Sequence, residues 1–369
     1  MMTRHRLLAA APIALAGATT LPSCSISVSY PEAVKETWRP FDWSKTERGA
    51  LLRELVRYAT LAPSSHNTQP WAFRLSHDRI TLHANFRRSC PAVDPDNHHL
   101  FVSLGCAAEN LLQAAAAVGL RGDVHVDPVD PWNDATIQIA FQPMRPRASA
   151  FFDAIPARQC TRAEYDGTRV PPASLAMLEK AGRGRGVRVL IQTARPKIEQ
   201  ILDFVVHANT KQMNDRAFMD ELRSWIRFSD AEAVAKRDGL FSRASGSPAI
   251  PSWLGNAAFK LVFTPKGENE KYARFIRSSA GIAVFVSDAS DYEHWLEAGR
   301  CYERFALQAT ALGIKTAMLN QPVEVGSVRG AFANALGIAR GSRPDLVVRF
   351  GYGPEMPRSL RRPVEAVIV

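Results

Sequence analysis

Cysteine is scarce in this chain of 369 residues: five are present, at positions 24, 90, 106, 160 and 301, and their spacing gives neither a C-x-x-C pair nor a zinc pattern. That spacing excludes a disulfide framework and a sequence-legible zinc module as organising devices. Also missing are G-x-S-x-G, H-E-x-x-H and a Walker loop, so the chemistry of a serine hydrolase, a zincin or a P-loop NTPase has no foothold. The run Gly182-Arg183-Gly184-Arg185-Gly186 is spaced G-x-G-x-G and crowded by arginine, which is not a dinucleotide fingerprint. Beyond the N-terminal segment no stretch reaches the ~18 apolar residues of a membrane-spanning helix. The net charge is +10, yet the arginines are scattered and no basic run interleaves with aromatics. No nucleic-acid partner is therefore expected, and the positive field suits small anionic ligands instead.

What is present reads as a folded chain. Apolar residues make up 46% and charged residues 22%, ordinary values for a globular protein, and the length leaves room for two cores or one fused core. The first 24 residues differ from the rest. Arg4 and Arg6 form a basic start, Leu7 to Ala18 is apolar but too short to span a bilayer, and Leu21-Pro22-Ser23-Cys24 follows. This pattern reads as an export signal, with a lipoprotein-type ending at Cys24, a competing A-x-A site at Ala16-Gly17-Ala18, and a split twin-arginine start. A plain tail on a cytoplasmic protein is the alternative.

Residues 62–71, Ala-Pro-Ser-Ser-His-Asn-Thr-Gln-Pro-Trp, are the most informative run. A helical pattern (Leu51, Leu52, Leu55, Val56) enters it and an alternating stretch (Trp71, Phe73, Leu75) leaves it. The run thus joins a helix to a strand, and its Ser, Asn and Gln side chains offer uncharged hydrogen-bonding groups at the junction. Such groups suit a flat heterocycle with carbonyl and N–H edges.

A second internal signal is duplication. Residues 94–120 and 288–314 align without a gap at an offset of 194 (299 minus 105), matching Asp94 with Asp288, Gly105 with Gly299, Glu109 with Glu303 and Gly119 with Gly313. Each copy is a helix pattern closed by a glycine suited to a left-handed C-cap. The period is too long for a solenoid and implies two similar halves.

The run A-P-S-S-x-N-x-Q-P-W resembles the flavin-contacting loop of the nitroreductase superfamily. Arg158-Gln159-Cys160-Thr161-Arg162-Ala163-Glu164-Tyr165-Asp166 resembles that family's entry motif, R-R-S-x-R-x-F-D, and the tail from Phe350-Gly351-Tyr352-Gly353-Pro354 to Arg358 and Arg361-Arg362-Pro363 resembles its closing strand and basic contact. In ordinary members the entry motif precedes the loop, whereas here it follows. That order resembles the Acg-like tandem subgroup, in which one chain carries two nitroreductase-like halves. The expected class is α+β, with helices covering a central mixed sheet and two pseudo-repeated halves mimicking a homodimer. The expected segments are a linker at 25–45, a first half at 46–150 and a second half at 151–369. Within the second half, a polar helical insertion near 212–256 serves as a lid over the ligand or as peripheral packing.

The resemblance implies FMN as cofactor, with NAD(P)H as electron donor and ping-pong hydride transfer to a quinone-like or nitroaromatic acceptor. It places the isoalloxazine ring among Ser64, Ser65, Asn67 and Gln69, with Gln159 beside it. It gives the phosphate to Arg158, Arg162 and either Arg361 or Arg362, with Cys160 where the family carries a serine. Pro70 and Trp71 are expected as core anchors and His66 as solvent-facing. No side-chain nucleophile and no metal are expected. Only the first half has the loop and only the second has the entry motif, which implies one flavin per chain at the seam and a degenerate partner site. The alternative function is an FMN-sequestering protein with a covered flavin. A monomer suffices, a dimer is left open, and attachment to a membrane through a lipid on Cys24 accompanies the export reading.

Overall fold

In the computed structural model of the chain, residues 28–126 and 135–369 are described. The export segment and Cys24 lie outside the described residues. Two short helices open the fold, α1 (Tyr30–Thr37) and α2 (Arg48–Thr60), followed by strands β1 (Trp71–Leu75) and β2 (Arg79–Ala84), helix α3 (His98–Ala117), and strands β3 (Leu120–Val126) and β4 (Thr136–Pro143). Next come α4 (Ala150–Ala154), α5 (Pro172–Ala181) and β5 (Val187–Gln192). A long excursion then carries α6 (Arg195–Asn214), α7 (Arg216–Trp225), β6 (Ile226–Arg227), α8 (Asp230–Lys236), β7 (Leu240–Phe241), α9 (Ser252–Val262) and α10 (Pro265–Arg277). The chain closes with β8 (Gly281–Ser287), α11 (Tyr292–Ala311), β9 (Lys315–Met318), α12 (Gln321–Glu324), α13 (Gly326–Ala335) and β10 (Arg343–Gly351).

The class is α+β. Instead of one central mixed sheet, the chain builds two four-stranded sheets with the orders β1-β2-β4-β3 and β5-β8-β10-β9. Strand for strand these are the same order, and every pairing within both is antiparallel. Parallel pairing enters only at isolated bridges and in the two-residue β6–β7 pair. The tail bridges β1, with Phe73 N–H donating to Val367 O at 2.7 Å and Val369 N–H donating to Phe73 O at 2.9 Å. The entry segment bridges β9 through Thr161 N–H to Thr316 O at 2.9 Å. The C-terminus of the second half is thereby zipped onto the sheet of the first.

The repeated helices α3 and α11 cross at the centre of one hydrophobic core that draws on both sheets. A Cβ on Gly105 would stand 2.0 Å from Leu296 O, and a Cβ on Gly299 would stand 2.0 Å from Val102 O. Leu296 is itself Val102 shifted by the repeat offset, so each helix meets the other's equivalent residue and glycine is required at both crossings. By length and composition α3 could cross a membrane, but most of its apolar window is buried inside this core. Cys106 and Cys301 are small buried residues on the crossing helices, as their Ala-rich context implies.

The two halves differ in what links their first two strands. In the first half, residues 76–78 make a tight hairpin. In the second, residues 193–280 intervene, so the inserted chain is much longer than the 212–256 stretch singled out from sequence. α6 and α13 bury Ile198, Ile201, Leu202, Val205 and Phe332 against the outer face of the second sheet. β8 and β10 are accordingly buried along their whole length, whereas β3 alternates between half-buried and exposed residues. The 25–45 segment is likewise more than a linker. Ser29 and Glu32 close a reciprocal capping box on α1, and the Trp38 indole N–H donates to Ser359 O at 3.0 Å.

Candidate functional site

The loop between α2 and β1 is wound tightly. Three consecutive-region residues without glycine's freedom, His66, Asn67 and Gln69, have φ of 46°, 54° and 56°. Left-handed backbone at non-glycine residues costs ~1–3 kcal/mol each and persists only where the surroundings hold it. Here they do. The Asn67 side-chain amide donates to Gly239 O at 3.1 Å and Leu360 O at 3.2 Å. Gln69 Nε2 donates to Arg237 O at 2.9 Å, and Gln69 Oε1 accepts the Arg362 N–H at 2.8 Å. Ser64 Oγ accepts the Gln69 N–H at 3.0 Å. The loop therefore fastens the insertion and the tail to the first half.

These three segments enclose a cavity of about 290 Å³, at the lower edge of the ~300–1,000 Å³ of small-molecule sites. Ser64, Ser65, Asn67, Arg158, Gln159, Cys160, Arg162 and Arg361 all line it. Of the residues singled out from sequence, Gln69 and Arg362 do not. Gln69 is fully buried as the staple just described, and the Arg362 side chain turns back to Ala366 O. Gln159 reaches the cavity but spends its amide on the tail, accepting from Met356 N–H at 3.0 Å and donating to Met356 O at 2.6 Å.

The arginines divide by what they already hold. Arg361 is buried and donates to Thr60 O, Leu61 O and Ala62 O at 2.9–3.2 Å, capping the C-terminal carbonyls of α2. Burial, with the charge of Arg158 beside it, lowers its pKa to about 9. It serves as a helix cap more than as a free cation. Arg158, 2% exposed, donates one N–H to Leu61 O at 2.9 Å and lies 3.2 Å from the Glu303 carboxylate, yet its Nη1 and Nε make no hydrogen bond. Arg162 is half-buried and has no ion pair among the described residues. Two cations with spare capacity thus face one space.

Other cavity walls carry the same signature. His66 Nε2, Asn67 Oδ1, Tyr302 Oη and Gln321 Oε1 are buried without hydrogen-bond partners and belong to residues lining the cavity. His66 was expected to face solvent and instead lines the cavity. Burial, reinforced by the charge of Arg162, lowers its pKa to about 4 and keeps it neutral. Burial pushes the Glu324 carboxyl and the Tyr302 hydroxyl up. Glu324 Oε2 accepts from Gln212 Nε2 at 2.7 Å.

Sequence reasoning did not find several wall residues. Arg358, Ser103, Tyr302, Asn320 and Lys271 line the cavity; Arg358 lay within the tail and Ser103 and Tyr302 within the repeated segments already singled out, but neither of the last two was marked as a site residue. The insertion contributes Met213, Phe218, Leu222, Leu240 and Phe263 to the wall. Met213, Phe218, Leu222 and Leu240 fall within the 212–256 stretch expected as a lid or as packing, whereas Phe263 lies beyond it and carries no pattern that distinguishes it from ordinary helix packing.

No family model matches the chain. Among curated proteins, Rv3131 of Mycobacterium tuberculosis, which carries the provisional name NAD(P)H nitroreductase, is 28% identical over 327 residues, covering 86% of this chain and 90% of that one. The Acg protein of the same organism, with the same provisional activity, is 23% identical over 329 residues, covering 86% and 95%. Among solved structures, the FMN-dependent nitroreductase NfnB of Mycobacterium smegmatis in complex with NADPH aligns at 13% identity and a TM-score of 0.39, over 59% of this chain and 96% of that one. A nitroreductase with bound FMN from Desulfitobacterium hafniense aligns at 14% identity and a TM-score of 0.38, over 60% and 98%. Alignments that loose fix neither a site nor a substrate.

Proposed function

We propose that this chain, which belongs to the nitroreductase superfamily and within it to the Acg-like tandem proteins, is an FMN-dependent oxidoreductase. In this reading NAD(P)H reduces it and a quinone-like or nitroaromatic acceptor reoxidises it. The observation that carries the proposal is the set of buried polar atoms without hydrogen-bond partners around one cavity: Arg158 Nη1, Asn67 Oδ1, Tyr302 Oη and Gln321 Oε1. Each such group costs ~1–3 kcal/mol when left unmade. Their concentration at one place fits a polar ligand that completes them.

The residues fit FMN. Arg158 and Arg162 are the cations with spare donors for a phosphate, and the neutral groups of Ser64, Ser65 and Asn67 suit the carbonyl and N–H edges of a flavin. When bound, the flavin supplies a two-electron store that accepts hydride from one substrate and yields it to the next. The chain's own part is to hold, orient and exclude water. The insertion lines the cavity with Phe218, Leu222 and Phe263, and Gln69 and Asn67 pin that wall to the loop. One cavity serving both substrates in turn makes a ping-pong order the natural one. In this proposal the two halves stand in for the two subunits of a homodimer, and residues 1–24 direct export with Cys24 as the lipid anchor.

The same wall favours a second reading, FMN sequestration, because a covered flavin leaves nicotinamide no face to stack on. An anaerobic visible spectrum of the FMN-loaded chain, before and after NADPH or NADH, separates the two. Prompt bleaching is the expected outcome. A yellow protein that bleaches with dithionite alone establishes sequestration, and a chain that takes up no flavin removes both readings.

A further inference from the structure

We propose that His66, Cys90 and Glu221 form a zinc site that pins helix α7 of the insertion to the cavity loop. One potential ligand atom from each of the three lies within 4.8 Å of the other two. They come from three separate segments: the strained loop, the turn that precedes α3, and α7. No sequence spacing reveals such a site, which is why the cysteine pattern alone excludes nothing of this kind.

The donor set selects the ion. An imidazole nitrogen, a thiolate and a carboxylate oxygen match zinc, whereas calcium and magnesium take oxygen ligands. Each side chain has capacity to bind. His66 Nε2 is buried and makes no hydrogen bond. Cys90 is 2% exposed, and its thiol makes no hydrogen bond among the described residues. The Glu221 oxygens accept the Ala92 and Val93 N–H groups at 2.9 and 3.2 Å, which orients the carboxylate and leaves a lone pair on each oxygen. Val93, Phe218, Met219, Leu222 and Trp225 pack around Cys90, an apolar shell that limits competing water.

The other close cluster of potential ligands, Asp94, His98 and His99, offers a contrast. It lacks sulfur, and most of its groups are already used. Asp94 accepts from the His99 and Leu100 N–H groups, and both histidines reach Asp345 through Nε2. That cluster is tied into a network through Asp345, with His98 Nδ1 left without a hydrogen bond, whereas the His66 cluster adds an unengaged thiol.

Zinc binding here releases the Cys90 thiol proton to solvent as the zinc–sulfur bond forms, with no change of oxidation state. Three protein ligands leave the fourth tetrahedral position to water or to an oxygen of a cavity occupant, and His66, as a cavity wall, gives the ion its route of entry.

The test is a Co²⁺ titration of the reduced, flavin-free full chain, followed by displacement with Zn²⁺. One Co²⁺ per chain with a thiolate-to-cobalt absorption band is expected. Cys90→Ser should abolish the band, and Cys160→Ser should leave it intact. Glu221→Gln should weaken binding ~10–100-fold. Zinc should raise the melting temperature of the parent chain more than that of Glu221→Gln at the same concentration, which keeps the result readable if Cys90→Ser folds poorly. A parent chain without the band, or a band that survives Cys90→Ser, overturns the site. Flavin is absent throughout, so failure here leaves the oxidoreductase reading untouched.

Discussion

Glu109 and Glu303 are the same residue of the repeat, one on α3 and one on α11, and they live in opposite surroundings. Glu109 accepts from Arg300 Nε at 3.2 Å, Arg304 Nη1 at 2.9 Å and Gln113 Nε2 at 2.8 Å. Glu303 is fully buried, and its carboxylate faces Arg158 at 3.2 Å. The repeat offset accounts for the difference. The residues equivalent to Arg300 and Arg304 are Cys106 and Asn110, which leave space where the arginines fill it. A Cβ on Gly184 would meet Glu297 Oε1 at 2.1 Å and Cys301 Sγ at 2.5 Å, so the filled side has no room for a ligand. The loops diverge in the same sense: residues 61–70 make the polar hub of the open side, while residues 182–186 make a tight glycine turn. A duplicated frame thus yields one closed, ion-paired seam and one open cavity with unspent polar groups.

The shared frame is the easiest part to break. Gly105→Ala and Gly299→Ala each drive a methyl into backbone 2.0 Å away, where no side chain can yield. Each should cost about 3 kcal/mol or more, at the upper end of overpacking penalties, read by urea denaturation. The two costs should agree within about 1 kcal/mol if the crossing is two-fold. Gly330→Ala, in α13 with open space around it, should instead stabilise by ~0.5–1 kcal/mol. A pair of unequal costs at 105 and 299 would dissolve the symmetry.

The divergence should appear in paired arginine variants. Arg158→Met should weaken FMN binding ~10–150-fold, the loss of one charge-assisted hydrogen bond of ~1.5–3 kcal/mol. Arg304→Met should leave FMN affinity unchanged and cost ~1–3 kcal/mol of stability, since it strips partners from Glu109 and Glu297. Flavin-fluorescence titration beside urea denaturation checks both. An equal loss of affinity in the two variants would mean that the filled side also takes part in binding.

Much of this frame was legible because it is local. The repeat and the matched glycines at 105 and 299 follow from spacing within short windows. The cavity loop was legible as a polar helix-to-strand junction, but not the division of labour inside it. Gln69 and Gln159 look like ligand contacts in sequence, yet Arg237, Arg362 and Met356 claim them, partners many residues away. His66 looks like a solvent-facing loop histidine, and only its left-handed backbone turns it inward. Arg361 carries the basic signature of a phosphate contact, but the α2 carbonyls take its donors. The insertion was legible at 212–256 as a lid or as peripheral packing, but the choice between them and the wall residues beyond that stretch were not, because an amphipathic helix pattern does not say which surface it will cover.

The smallest expected effect is also the sharpest comparison, because its sign should differ between the two glutamates. Burial raises the Glu303 carboxyl from 4.5 to about 7, with Arg158 opposing. Between those values the folded chain holds a proton that the unfolded chain has released. That proton's contribution to stability is complete below about pH 4.5 and is lost as pH rises through about 7. Asp345, also raised to about 7, acts in the same direction. His66, lowered to about 4, acts the opposite way and loses its contribution as pH falls below 6.5. Glu303→Gln removes one ionisation cost, so at pH 8 it should stabilise the flavin-free chain by on the order of 1–3 kcal/mol and flatten the melting curve between pH 5 and 8. Glu109→Gln removes a carboxylate whose partners are already in place and should destabilise at pH 8. Melting temperatures of the two variants across that range decide the matter, and shifts of the same sign at pH 8 would contradict the assignment of one seam with several partners and one in which Glu303 faces Arg158.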